Sequence, residues 1–207
     1  MAEYLEIHPQ NPQPRLLRIA AERLRAGAVI AYPTDSSYAL GCHIGDKAAM
    51  ERIARIRGFQ RRHHFTLVCR DLSEIATYAR VDNPSYRLLR KLTPGPYTFV
   101  LPATREVPRR LQDEKRRTIG LRVPDHLVAQ ALLAELNEPI MSVTLQLPGE
   151  AYPVSDVNEV LETLSPLVDV VVDSGNCGLE PTTVLDLSGE GLRLLRPGKG
   201  SVSELGL

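Results

Sequence analysis

The sequence predicts an α/β protein built on a twisted, mixed, open sheet flanked by helices, and three observations carry that reading. Apolar, β-prone runs alternate with apolar stripes at helical spacing through most of the chain. Near the end, two short apolar runs, 183–187 and 192–196, flank Ser188-Gly189-Glu190-Gly191, a hairpin signal that puts an antiparallel pair into the sheet. No Gly-x-Gly-x-x-Gly or Walker loop is present, so neither of those phosphate cradles organises the fold.

Taken in order, the opening segment with Pro9, Pro12 and Pro14 reads as an extended arm over residues 1–14. Leu16, Leu17, Ile19, Ala20 and Leu24 form a helical stripe that Gly27 stops. Residues 29–32 make the first central strand, which Pro33 ends because it has no N–H for a ladder. Asp46 caps a helix to about Arg57, with Ala49, Met50, Ile53 and Ile56 inward. Residues 65–69 read as a strand, and Asp71-Leu72-Ser73-Glu74 as a capping box opening a helix to Ala79. Asn83-Pro84 opens a helix to Leu92, and Thr93-Pro94-Gly95-Pro96 breaks the chain. Strands follow at 97–101 and 118–123, a helix at 127–136 behind Asp125, a strand at 140–145, a helix from Ser155 to about Leu164, and a strand at 168–172.

The 207 residues suit one large domain, 1–207, and 43% hydrophobic with 24% charged residues is ordinary for a globular chain. The 25 basic residues balance 25 acidic ones, so net charge selects no partner. No apolar run approaches a membrane span and no signal-peptide core precedes Gln13, so a cytoplasmic protein is expected. Cys42, Cys69 and Cys177 form no Cys-x-x-Cys pair, and reduced thiols without a disulfide framework or zinc site follow.

Chemistry concentrates in four places. Tyr32-Pro33-Thr34-Asp35-Ser36-Ser37-Tyr38 ends a strand in clustered hydroxyls and a carboxylate, which suits either a ligand wall or a self-satisfied turn. Arg52, Arg55, Arg57, Arg61, Arg62, His63, His64 and Arg70 form one basic cluster; Arg105, Arg109, Arg110, Lys115, Arg116, Arg117 and Arg122 form a second. Arginine's planar fork suits a polyanion, either a nucleotide triphosphate or a nucleic-acid backbone, and a solvated face is the bland alternative. Ser142, Thr144 and Gln146 share one face at the end of a strand. Adjacent His63 and His64 are poorly placed to share a metal, and no Gly-x-Ser-x-Gly elbow is present, so direct transfer between bound substrates fits better than a covalent intermediate.

The stretch Pro33-Thr34-Asp35-Ser36-Ser37-Tyr38-Ala39-Leu40 resembles the Pro-Thr-(Asp/Glu)-Thr-x-Tyr-Gly-Leu signature of the YrdC/YciO family, the threonylcarbamoyl-adenylate synthases. The resemblance runs from about Arg15 to Gly198 and includes Thr93-Pro94-Gly95-Pro96-Tyr97-Thr98, Ile119-Gly120-Leu121-Arg122-Val123-Pro124, Pro139-Ile140-Met141-Ser142, Pro181-Thr182-Thr183-Val184-Leu185-Asp186 and Leu195-Arg196-Pro197-Gly198. Ile7-His8-Pro9, Cys69-Arg70-Asp71-Leu72 and Glu106-Val107-Pro108-Arg109-Arg110-Leu111 are similar to the YciO branch.

That resemblance implies a YrdC/RibB-like fold with a concave basic face, and a nucleotidyltransferase condensing L-threonine, bicarbonate and ATP, with magnesium on the nucleotide, to threonylcarbamoyl-AMP and pyrophosphate for tRNA modification. It also implies an alternative: a protein of the same fold that binds double-stranded RNA, tRNA or nucleotide without efficient turnover. Residue by residue, it implies Arg55 and Arg57, on the Lys-x-Arg motif, as phosphate-holding catalytic groups; Thr98, Ser142, Thr144, Gln146 and Arg196 as nucleotide contacts; and Thr34, Ser36, His64, Arg122 and Thr182 as threonine contacts. In the family's Ser-Thr-Ser-Ala-Asn run, Ser becomes Thr144 and Asn becomes Gln146, one methylene longer.

Overall fold

The computed structural model describes residues 1–59, 65–203 and 205. Among the described residues ten strands join one sheet in the order β1-β8-β2-β3-β7-β4-β6-β5-β9-β10. The strands are β1 Glu3–Glu6, β2 Ile30–Tyr32, β3 Ala39–His43, β4 Thr66–Val68, β5 Tyr97–Pro102, β6 Thr118–Arg122, β7 Ile140–Thr144, β8 Val170–Asp173, β9 Thr183–Asp186 and β10 Arg193–Arg196. Six helices accompany them: α1 Pro14–Arg25, α2 Lys47–Ile56, α3 Leu72–Tyr78, α4 Asn83–Leu92, α5 Leu127–Leu136 and α6 Val157–Leu164. Parallel pairs (β1–β8, β2–β8, β4–β6, β5–β9) mix with antiparallel ones (β2–β3, β3–β7, β4–β7, β5–β6, β9–β10), as the alternation and the terminal hairpin predict.

Side chains alternate across a strand, so each strand serves two faces. One face carries Val29, Ala31, Leu67, Phe99, Leu121, Met141, Val171 and Leu185, and Ile53 of α2, Ile75 of α3, Leu89 of α4 and Val160 of α6 pack in the same cluster. The opposite face is covered over only part of its width. There Leu17, Ala20 and Leu24 of α1 and Val128, Leu132 and Leu136 of α5 pack with Ile30, Tyr32, Ile140, Val170 and Val172. Each such buried aliphatic side chain contributes about 1.5–3 kcal/mol by leaving water. Where α1 and α5 stop, the remaining strands of that face are left to line a cavity.

Three caps and one arm differ from the sequence expectation. The helix ending at Leu92 is capped by Asp82, whose Oδ1 accepts the Ser85 N–H at 2.8 Å, not by Asn83. α5 is capped by His126 rather than Asp125, and α6 by Asp156 rather than Ser155. In each case the side chain one position over has the extended backbone and the reach to a free N–H of the first turn. The arm over residues 1–14 is not a free extension: Glu3–Glu6 pairs with β8 as an edge strand, and Pro14 already begins α1. β3 is also a full strand, where the sequence shows just a short apolar run. Among the described residues no helix is long and apolar enough to cross a membrane.

Candidate active site

The cavity on the half-covered face has a volume of about 350 Å³. Its floor follows from period-two alternation: Thr66 and Val68 from β4, Thr118, Gly120 and Arg122 from β6, Thr98 and Val100 from β5, Ser142 and Thr144 from β7, and Val184 from β9. Register sets their heights. Thr66 pairs with both Gly120 and Ser142, so these three lie in one row. Thr98 and Arg196 both pair with Val184, and Arg122 lies one step past the Phe99–Leu121 pair, beside Thr98. Arg122, Thr98, Val184 and Arg196 therefore form a second row. Thr118 and Thr144, each two residues from the Gly120–Ser142 row, mark the opposite end. Gly120 keeps the floor low, since a Cβ there would come within 3.2 Å of Thr66 Oγ1.

The Thr34–Ser37 turn folds over the Arg122 end. Thr34 Oγ1 donates to Ser37 O at 2.7 Å and accepts the Ser36 and Ser37 N–H groups, so the hydroxyls do satisfy their own turn. They also face the cavity. Arg122 donates through Nη1 to Ser36 Oγ at 3.2 Å and through Nη2 to Asp35 Oδ1, and just 9% and 8% of the Arg122 and Asp35 side chains are exposed. Asp35 Oδ2 and Arg122 Nε are buried with no hydrogen-bond partner among the described residues. Lys199 donates to Asp35 O, tying the chain after β10 to this turn.

Along the row, the Thr98 and Thr182 hydroxyls are 2.8 Å apart, and Arg196 Nη2 donates to Thr182 O at 2.9 Å and Oγ1 at 3.3 Å. Burial lowers the Arg196 pKa, and no carboxylate pairs with it among the described residues. One row away, Arg116 donates through Nη2 to Asp186 Oδ2 at 2.7 Å and to Ser188 Oγ; Asp186 pairs with Val100 in the Gly120–Ser142 row. Burial opposes ionisation of Asp186, but hydrogen bonds from Ser188 and Arg116 outweigh it and hold that carboxyl down at about 2.

Of the residues the sequence assigns, Thr34, Ser36, Thr98, Arg122, Ser142, Thr144, Thr182 and Arg196 all line this one cavity. The Ser142 hydroxyl is already engaged, accepting from Tyr32 OH and donating to Leu40 O, both at 2.9 Å. Burial raises the Tyr32 pKa to about 12, so it stays a donor. Three assigned residues do not line the cavity. Arg55 is exposed in the last turn of α2. Arg57 caps that helix with its guanidinium 5.0 Å from the Phe59 ring centroid and its Nε buried without a partner among the described residues. Gln146 lies beyond the end of β7, and its side chain donates to Glu150 O, four residues further on, at 2.9 Å. His64 lies outside the described residues.

The sequence reading missed the partners Asp35, Tyr32 and Lys199 and the place of Arg116. Arg116 was visible as one member of a charged cluster, but its anchor is 70 residues away in sequence. Burial pushes the Cys177 thiol up to about 11 and raises those of Cys42 and Cys69 as well, which favours the protonated form of each.

The profile of Sua5, YciO and YrdC, described as telomere recombination, matches residues 22–198. The chain belongs to the Sua5/YciO/YrdC family. It is 53% identical to the E. coli protein YciO, itself uncharacterised, over 98% of both chains, and superposes on the crystal structure of E. coli YciO with a TM-score of 0.94. It is 33% identical to human threonylcarbamoyl-AMP synthase over 88% of this chain and 67% of that protein. P. abyssi Sua5 in complex with L-threonine matches with a TM-score of 0.86 at 26% identity, over 94% of this chain and 57% of that one. The fold the sequence implies is thus the fold observed.

Proposed function

We propose that the protein condenses L-threonine, bicarbonate and ATP to threonylcarbamoyl-AMP and pyrophosphate, the product serving N6-threonylcarbamoyladenosine formation in tRNA. One observation supports this above the rest: a single cavity row holds an enclosed guanidinium, Arg122, and a carboxylate-free one, Arg196, with the Thr98–Thr182 hydroxyl pair between them. Such a row suits a carboxylate beside a phosphate, and relatives 32–33% identical to this chain carry the name threonylcarbamoyl-AMP synthase.

In this reading Arg122 and Ser36 take the threonine carboxylate and hydroxyl, and Thr34 fixes the turn that presents them. Threonine's free amine adds to the carbon of bicarbonate, water leaves, and a carbamate forms. A carbamate oxygen then attacks the α-phosphorus of ATP; the bond to the bridging oxygen breaks and pyrophosphate leaves with that electron pair. Arg196 and the Thr98 and Thr182 hydroxyls lie where charge grows on the α-phosphate, and fixed donors of this kind act without reorganising during the step. Magnesium would enter with the nucleotide, held on its own phosphates, as it commonly is.

The test is incubation with ATP, threonine and labelled bicarbonate. The expected result is a labelled adenylate with matching pyrophosphate; no label, and no pyrophosphate above that of Arg122→Gln, would sink the reading. A second reading, nucleotide or duplex-RNA binding with little turnover, is favoured by Gln146 and Arg57 being engaged outside the cavity. It predicts RNA affinity that falls steeply with salt and ignores threonine.

A further inference from the structure

We propose that Arg116 is a phosphate-binding residue, that it receives the terminal phosphates of the nucleotide and the leaving pyrophosphate, and that buried Asp186 is the positioning residue that holds it there. The inference rests on the nucleotide reading of the cavity and adds a residue and an orientation to it.

Arg116 lies in the tight turn before β6. Asp113 Oδ1 accepts the N–H groups of Lys115 and Arg116, and Arg117, at φ 52°, reverses the chain into the strand. This turn aims the Arg116 side chain across the end of the neighbouring strands to Asp186, the last residue of β9. Asp186 has no exposed side-chain surface, and its two oxygens are saturated. Oδ1 accepts the Ser188 N–H and hydroxyl, and Oδ2 accepts Arg116 and Arg193 at 2.7 and 2.8 Å.

The anchoring is one-sided. Arg116 holds Asp186 and Ser188 through Nη2 alone; its Nε and Nη1 make no hydrogen bond among the described residues. The side chain lines the cavity and is 44% exposed. A guanidinium fixed by one nitrogen keeps the rest of its fork for a phosphate.

Position selects the phosphate. Arg116 bonds Asp186, which pairs with Val100 and so shares the Gly120–Ser142 row, whereas Arg122 and Arg196 share the Val184 row two residues along β9. The two rows are separated by about 7 Å of strand at the usual rise per residue. A ligand held by its amino-acid part at Arg122 and its α-phosphate at Arg196 would extend its remaining phosphates toward Arg116.

The experiment is calorimetric titration of ATP, AMP and threonine into wild type, Arg116→Gln, Arg116→Lys and Asp186→Asn. Losing one charge-assisted contact weakens binding about tenfold to a hundredfold. Arg116→Gln is expected to lose that much for ATP while AMP and threonine bind as to wild type, which also certifies the fold. Lysine, a point charge, is expected to restore part of the loss. Asp186→Asn is expected to weaken ATP with the same sparing of AMP. Equal ATP affinity in wild type and Arg116→Gln overturns the role of Arg116 and leaves the nucleotide reading standing. Equal losses for ATP and AMP overturn its assignment to the terminal phosphates. No ATP binding by wild type overturns both.

Discussion

The two ion pairs at the ends of the cavity, Arg122–Asp35 and Arg116–Asp186, use the same chemical groups in opposite ways. At the first, both side chains are enclosed, and Asp35 Oδ2 and Arg122 Nε are left without partners among the described residues. At the second, the carboxylate is saturated and the guanidinium is partly open. A buried pair with unmet hydrogen-bonding capacity is poised to exchange partners when a ligand brings new ones, because its own arrangement leaves desolvated atoms unpaired. A saturated carboxylate with an open cation is a fixed bracket. The contrast teaches that identical groups can make one end of a cavity ready to exchange partners and leave the other fixed, according to how completely the carboxylate is satisfied.

Substitutions at the enclosed pair break this comparison most severely. Arg122→Ala leaves Asp35 buried without its partner and is expected to cost about 3–5 kcal/mol of stability by urea denaturation. Asp35→Ala is expected to lose a similar amount, with threonine restoring part of it, since its carboxylate can take the vacated position beside Arg122; no added stabilisation by threonine would argue that the pair is purely structural. At the open end, Asp186→Asn is expected to cost less, about 1–3 kcal/mol, because Arg116 and Arg193 can turn to water. Sign follows from the depressed carboxyl: Asp186 contributes stability above its unfolded pKa near 4, lost as pH falls toward about 2, and the asparagine variant should lack that acid-limb slope.

The smallest effect concerns His126, which caps α5 by accepting the Ala129 N–H through Nδ1 at 3.3 Å. Burial lowers its pKa, against the pull of Asp35 and Asp125 and with the help of Arg122. The unfolded chain then binds the proton more readily, so stability falls as pH drops below the ordinary histidine range. His126→Asn keeps an acceptor at the cap and should flatten that dependence, with a change near neutral pH within about 1 kcal/mol.

Much of the fold was legible because periodicity is local. In Thr118-Ile119-Gly120-Leu121-Arg122 the alternation sends Ile119 and Leu121 to the core and Thr118, Gly120 and Arg122 to the cavity floor without knowledge of any partner, although Ile119 also reaches the cavity wall. The misplaced caps were errors of one residue, where neighbouring side chains such as Asp125 and His126 compete for one N–H. The site was legible where a residue's own strand carries it to the cavity, as with Thr98, Ser142 and Arg122. It was not legible at Asp35–Arg122, where the partners are 87 residues apart, or at Gln146, whose side chain closes its own loop. Those outcomes depend on packing between distant segments, which no window of sequence contains.

The central claim is that one cavity holds threonine at Arg122 and nucleotide beside it. Titration of threonine in the absence and presence of a non-hydrolysable ATP analogue tests it most directly. The account predicts that threonine binds, that the analogue tightens its binding, and that Arg122→Gln abolishes both effects. Threonine binding that the nucleotide leaves unchanged, or that survives in Arg122→Gln, would contradict it.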